Sequence, residues 1–565
     1  MRASGGFRSA RCRRPIRFTR TGWTPDYAIV AAKGRGGAYR VEATPPDGRA
    51  PRVGDVFTLS RIRAGDTVVF PSSLAARGRD DGRGGVAFEV VATGPYEVSA
   101  HTAPFADGDR IVFWGDSITH GGFYPQLLSD FYLTRYPDRA VRFYNAGVSG
   151  DNAGAARMRF AEDVRRWNPT VVTLMFGMND AGRGMYDPVK MADAAYRTTI
   201  PAREAACRAA YETNLTELVR CIRAELPQAR LMFLTPTPYD ETAVQTGPGA
   251  VPALKGTAAA LARFAAFGRK LAAFGRKLAA ETGSGIEDWS ASVSALVAAE
   301  QAKDPSFSFV NRDRVHPGAP GHLFLTCEFL KAQGATNPVS DVAISAQDGI
   351  VIRADNATVS GFARTADGCA FTVLARALPW VVPTEAESAL AYTPAFAELS
   401  REGLAVAGLT PDAVYALRID GAEVGVWTGA ALARGIDLGR NAKTPQHRQA
   451  AEVGRLNAAR CAIERDQLRM FAASRRFLRL RGVDPDDFAA VRTYCDGLTE
   501  AARKGYFQRR LPDYLRDYGR KGEIERDQDV RWAELLKRRM PQPHRYEVVR
   551  LTLHAKDGKG KGEIK

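Results

Sequence analysis

Residues 111–122 read IVFWGDSITHGG, an apolar run that breaks at Gly-Asp-Ser, with residues behind it that can open a helix. The run has no apolar-polar alternation, so as a strand it is buried on both faces, as strands are in a parallel sheet covered by helices. The same rhythm returns in AVRFYNAG (140–147), PTVVTLMFG (169–177) and ARLMFLTP (229–236). Stretches of helical period lie between them, such as FYPQLLSDFYLTRY (123–136) and NLTELVRCIRAEL (214–226). Alternating buried strands and helices predict an α/β unit over about 108–335. In such sheets ligands collect at the carboxyl ends of the strands, where the marked turns fall.

Ser117 stands directly after the first strand. There its hydroxyl is accessible, and its N–H points out of the positive end of a helix. That position suits a nucleophile that must also stabilise the oxyanion it creates. Taken alone, Gly-Asp-Ser reads first as a helix N-cap, because serine caps helices well. Three further turns bear on the choice: NAGVSGDNAG (145–154), FGMNDAGRG (176–184) and NRDRVHPGAPGH (311–322).

In this order, Gly-Asp-Ser, Ser-Gly-Asp, Gly-x-Asn-Asp and Asp-x-x-His resemble the blocks of the SGNH hydrolases, the GDSL esterase and lipase superfamily. The resemblance covers about residues 108–335. It implies a flavodoxin-like parallel sheet sandwiched by helices. It also implies Ser117 as nucleophile, His316 as general base and Asp313 as the group that orients the imidazole. The N–H groups of Ser117 and Gly150 and the Asn179 side-chain amide are then the oxyanion donors. A glycine lets backbone approach substrate closely, and an asparagine amide donates without titrating.

Each residue also has a plain structural reading. Asn179 reads as a turn residue, His316 as a surface histidine before Pro317, and Asp313 as a cap. Asp116 and Asp180 are assigned to turn hydrogen bonding, and Trp114 and Tyr124 to packing. His120 competes as a base three residues after Ser117 but has no orienting acid at matching spacing. His322 falls on the final helix without a role. No Gly-x-Ser-x-Gly elbow, His-Glu-x-x-His helix or Walker loop occurs, so no metal or nucleotide cofactor is implied.

The flanking segments differ. Residues 1–23 are expected to be a basic, unstructured leader, and 24–105 a small β-rich domain punctuated by clusters such as ARGRDDGRGG. Residues 336–440 return to short strands, and 441–565 read as a basic helical extension with a frayed tail. The heptapeptide AAFGRKL occurs twice in tandem, at 265–271 and 272–278. Seven residues are nearly two helical turns, so the insertion lengthens a helix while rotating its face by only about 20°.

The formal charge of +16 is unevenly spread. Residues 1–22 hold seven arginines and no acid, and 440–565 hold 30 Lys and Arg against 18 Asp and Glu. The middle of the chain is therefore slightly acidic, and the basic tail reads as a solvated face, with nucleic acid not the expected partner. Seven scattered cysteines without a Cys-x-x-Cys pair argue against a disulfide framework or a zinc site. No apolar run is long enough for a membrane-spanning helix. The N-terminus is basic but lacks the apolar stretch of a secretory signal, so the default expectation is cytoplasmic, with export open if the start site is mis-assigned.

The expected activity is a metal-independent serine esterase working through an acyl-enzyme on a small-molecule or polysaccharide ester. Short acyl, especially acetyl, esters on carbohydrate are favoured by the flanking β-rich segments and the absence of a long apolar lid. A lipase, lysophospholipase or thioesterase is the alternative within the class. The alternative outside it is a vestigial hydrolase unit that binds anions through the basic tail.

Overall fold

The computed structural model describes residues 104–551 apart from 243–257, 312 and 336–337, together with seven strand segments between Ile16 and Ala92. Those seven segments close into a barrel in which one neighbouring pair is parallel and the others antiparallel. The first, Ile16–Arg20, lies inside the stretch expected to be an unstructured leader. Its alternating Ile16 and Phe18 carry the period of a strand, which the neighbouring Arg17 and Arg20 obscure. The rest of residues 1–23 and the last nine residues lie outside the described residues.

The expected α/β unit follows. Its sheet contains β1 (Arg110–Gly115), β2 (Arg142–Asn145), β3 (Val171–Met175), β4 (Arg230–Leu234) and β5 (Gly285–Glu287), in the order β5-β4-β3-β1-β2. Every neighbouring pair is parallel. This is the doubly wound, flavodoxin-like order, in which the chain reverses direction of growth between β1 and β3. Ile111, Val112, Phe113 and Trp114 are all fully buried. Ile111 and Phe113 join one apolar cluster while Val112 and Trp114 join the other, so the unbroken apolar run serves two covered faces.

Helix α1 (Ser117–His120) is a single turn, followed by α2 (Phe123–Arg135). Helices α3 (Ala194–Glu225), α4 (Ala258–Glu281), α5 (Trp289–Gln301) and α6 (Ala319–Ala332) complete the layers. The tandem repeat lies wholly within α4. Leu271 and Leu278 close its two copies in equivalent buried positions, as expected for an insertion of two turns.

Beyond residue 338 the chain forms two more sheets, one of four strands and one of five. The five-stranded sheet includes β6 (Gly368–Ala375) and β7 (Val414–Ile419), and between them lies β8 (His544–Arg550), antiparallel to both. The segment expected to be a helical extension thus ends in a central strand of the preceding β-rich segment. Tyr546 and Val548 bury one face of that strand in the sheet core.

The helices before it are not a separate body either. Helix α7 (Pro445–Ile463) runs through a π-helical turn, Glu464–Leu468, into α8 (Arg469–Arg479). Val453, Trp532, Leu535 and Trp380 share one apolar core with α2 and α6. Asn457 donates to Ser129 Oγ and, at 2.7 Å, to Asp130 Oδ1 on α2. The solvated reading of the basic tail holds for its outer arginines, such as Arg516 and Arg538, which pair with nearby acids at the surface. It fails for Arg460, Arg469 and Arg476, which are buried and whose charge is met by acids.

Candidate active site

Four turns meet at the carboxyl edge of the sheet. At the end of β1 the helix cap is Asp116, whose Oδ1 accepts the N–H of Ile118 at 3.0 Å. Ser117 is therefore the first helical residue, and the capping alternative for its side chain does not hold. As the first residue of the turn its N–H has no acceptor within the helix. Burial pushes the Asp116 carboxyl up to about 6.

The Ser117 hydroxyl faces His316, with Oγ 2.6 Å from Nε2. His316 Nδ1 is hydrogen-bonded to Asp313 Oδ2. Asp313 Oδ1 accepts the N–H groups of Val315 and His316, each at 3.0 Å. The carboxylate thus caps its own turn with one oxygen and orients the imidazole with the other. Burial opposes the charge on Asp313, but His316 and the two amides outweigh it and hold its carboxyl down to about 2. An ionised carboxylate only accepts, so Nδ1 carries the proton and Nε2 accepts the Ser117 O–H. Burial works against a charged His316, yet the bond and charge of Asp313 raise it above the ordinary histidine value. The loop is braced from β4's side: Asp240 N–H donates to the Arg314 carbonyl at 3.1 Å, and Arg314 Nη1 to the Asp240 carbonyl at 2.9 Å.

The turn after β2 lies against α1. A Cβ on Gly147 would sit 2.2 Å from the His120 nitrogen, so only glycine permits this approach. Gly150 adopts φ +74°, in the left-handed region. Among the described residues its N–H has no hydrogen-bond partner. Asn179, after β3, donates Nδ2–H to the Asp151 carbonyl at 2.8 Å, which fixes the amide against the Gly150 turn. An amide nitrogen carries two hydrogens, so one is left to donate.

The residues assigned to lesser roles also find places. Asp180 bonds across the site, its Oδ1 accepting Ala153 N–H at 3.1 Å. Trp114 packs between Phe160 and Phe176, and Tyr124 Oη meets Thr119 Oγ1 at 2.9 Å, so both lie in the core. His322 is buried on α6 with its ring stacked on Tyr124, and burial pulls it down to about 3. His120 is held neutral, at about 4, by burial and by the charge of Arg469. Its Nδ1 accepts Ser149 N–H at 3.0 Å, and its Nε2 donates to the Arg465 carbonyl at 3.2 Å. It is therefore a brace between segments, with no orienting carboxylate and no lone pair facing Ser117.

Local motifs gave no sign of what stands behind the Gly150 turn. Asp151 is fully buried, with Arg159 Nε 2.7 Å from Oδ2 and Arg476 Nε 2.7 Å from Oδ1. Arg159 also bonds Asp163, which Arg469 reaches from α8. A chain of alternating buried charges needs every member, because a deleted cation leaves carboxylates desolvated. Arg159→Met is expected to destabilise the protein by about 3 kcal/mol in urea unfolding, the low end of such losses because both acids keep a second arginine. A loss below about 1 kcal/mol contradicts this account of the network. Farther out, Tyr506 is exposed and its Oη lies 3.5 Å from Ser149 Oγ, while Phe507 Cζ lies 3.9 Å from where a Cβ on Gly150 would be.

Several known proteins resemble this chain. The human isoamyl acetate-hydrolyzing esterase 1 homolog is 30% identical over 142 residues, 24% of this chain and 50% of that protein. An acetylxylan esterase of Geobacillus stearothermophilus is 32% identical over 95 residues, 14% of this chain and 43% of that protein. The chain thus spans about half the length of the curated relatives it matches. A solved structure described as a gut microbial diltiazem-metabolizing enzyme superposes with a TM-score of 0.70 at 29% identity, over 80% of this chain and 99% of that one. That likeness reaches well into the flanking segments. Residues 113–323 match the family described as GDSL-like lipase/acylhydrolase, and the α/β unit of this chain is a GDSL-like lipase/acylhydrolase domain.

Proposed function

We propose that this protein hydrolyses short-acyl carboxylic esters through a covalent acyl-enzyme at Ser117, and that its substrates are acetyl esters of carbohydrate. The observation that carries the mechanism is the hydrogen-bonded line from Asp313 through His316 to Ser117 Oγ at the end of β1. His316 Nε2 takes the hydroxyl proton as Oγ attacks the acyl carbon. The oxyanion accepts hydrogen bonds from the N–H of Ser117, the N–H of Gly150 and the free Asn179 amide hydrogen. Collapse expels the alcohol, protonated by His316, and leaves the acyl group on Ser117. His316 then deprotonates a water, which attacks the acyl carbon, and as the acyl–Oγ bond breaks His316 returns the proton to Ser117 Oγ and the acid leaves. Asp313 stays ionised throughout and offsets the charge that His316 gains.

The choice of acetyl rests on the two curated relatives, both named for acetyl esters. The choice of carbohydrate rests on the acetylxylan esterase among them and on the β-rich segments that flank the α/β unit. The test is a comparison of kcat/KM on 4-nitrophenyl acetate, butyrate and octanoate, followed by acetylated xylo-oligosaccharides. Acetate is expected to exceed octanoate by at least about tenfold, since a pocket shaped for two carbons rejects a longer chain sterically. Preference for octanoate overturns the short-acyl reading in favour of a lipase. Failure to release acetate from any acetylated sugar, despite turnover of the nitrophenyl ester, overturns the carbohydrate reading alone.

A further inference from the structure

The Gly150 N–H is an amide on a residue with the greatest backbone freedom of any, in a turn between two elements. A preorganised oxyanion donor cannot swing, so something must hold its peptide plane. The planes on either side of the Ser149–Gly150 peptide are each pinned. On the N-terminal side Ser149 N–H donates to His120 Nδ1 at 3.0 Å, and His120 Nε2 donates to the Arg465 carbonyl. On the C-terminal side the Gly150 carbonyl accepts Arg476 Nη2 at 2.9 Å, while Arg476 Nε bonds Asp151 Oδ1 at 2.7 Å. Asp151 N–H closes the turn onto the Val148 carbonyl at 3.1 Å.

One distant stretch of chain, 465–476, thus supplies the C-terminal pin directly and backs the N-terminal pin through His120, more than 300 residues after the turn. The π-helical turn at Glu464–Leu468 lies on that stretch. A π turn interrupts the i to i−4 ladder, which accounts for a mid-helix carbonyl at Arg465 turned outward to accept from His120. Glu464 in the same turn accepts Asn145 N–H at 2.8 Å, fixing the end of β2 from which the Gly150 turn departs.

We propose that Arg476 is a positioning residue for catalysis: its guanidinium, by bonding the Gly150 carbonyl and the Asp151 carboxylate together, holds the Gly150 N–H aimed at the oxyanion. This rests on the proposed oxyanion role of Gly150. The C-terminal helices, on this reading, complete the active site and are not an appended tail. Lysine at this position keeps the charge beside Asp151 but has no planar fork to reach both acceptors, whereas methionine removes charge and fork alike.

The experiment measures kcat and KM on 4-nitrophenyl acetate for the full-length wild type, Ser117→Ala, Arg476→Lys and Arg476→Met, each well below its own thermal midpoint. Affinity for a phenylboronic acid, which forms a tetrahedral adduct on an active serine, is measured alongside. The expected result for Arg476→Lys is kcat lower by roughly 10- to 100-fold, less than the loss of an oxyanion donor outright, with KM within about twofold. Boronate affinity falls in parallel with kcat/KM, and Arg476→Met is at least as impaired. Wild-type kcat in Arg476→Lys with the protein folded overturns the inference, as does a loss confined to KM. If Ser117→Ala retains activity, the proposed function itself has failed, a result separate from either outcome at Arg476. Should Arg476→Met fail to fold, Arg476→Lys alone decides, because the charge that Asp151 needs is still present.

Discussion

Ser117→Ala is expected to lower kcat/KM on 4-nitrophenyl acetate by roughly 10⁴- to 10⁶-fold, leaving the residual rate that binding and the oxyanion donors supply without a nucleophile. The size of the effect follows from the Ser117 Oγ being the atom that His316 Nε2 faces at 2.6 Å. The same variant is expected to unfold at nearly the wild-type temperature. The cap of α1 is the Asp116 side chain, so the serine hydroxyl supports no helix end. A serine that served as the cap gives the reverse pattern: about 1 kcal/mol of stability lost on substitution and activity retained. Measuring both quantities on one sample therefore separates the two readings of Gly-Asp-Ser.

Asp313→Asn is expected to cost on the order of 10⁴-fold in kcat while the turn keeps its shape. Asparagine retains an oxygen for the N–H groups of Val315 and His316, which Asp313 Oδ1 now accepts. Its amide, however, places a donor opposite His316 Nδ1, which must then accept, so the ring proton moves to Nε2. In that tautomer His316 cannot take the Ser117 proton. The pH profile gives a second readout. In the wild type Asp313 raises His316 above the ordinary histidine value, and the base works only when neutral. The wild-type kcat/KM therefore falls as pH drops through a midpoint above about 6.5. In Asp313→Asn the carboxylate charge is gone while burial still opposes protonation, so the midpoint moves to lower pH. An unmoved midpoint with undiminished kcat removes Asp313 from the reaction.

What the sequence shows about this protein depends on whether the information is local. The β1 strand, the Ser117 turn and the Asp313–His316 turn are each complete within a dozen residues, and unbroken apolar runs announce a two-faced sheet. Their meeting at one edge follows from the parallel order of the sheet, so the α/β unit and the positions of Ser117, Gly150, Asn179, Asp313 and His316 on it were legible. The C-terminal strand was not. HRYEVVR follows a long Arg-rich helical segment, and its partners β6 and β7 lie more than 120 residues upstream. Arg476 was illegible for a related reason: in a run of arginines nothing local separates the one that meets Asp151 from those that face water. Composition counted the basic residues of the tail correctly, but burial decides their role. The choice of Asp116 over Ser117 as cap was equally closed to sequence reasoning, because both residue types cap helices well and only the backbone register selects between them.

The most direct test of the central claim is intact-mass analysis of the wild-type protein after reaction with an organophosphonate that labels activated serines, with the site mapped by peptide fragmentation. One adduct per chain is expected, on Ser117, formed in step with loss of esterase activity, with no adduct on Ser117→Ala. An adduct on another serine with loss of activity, or full turnover by a protein that carries the label at Ser117, contradicts the claim.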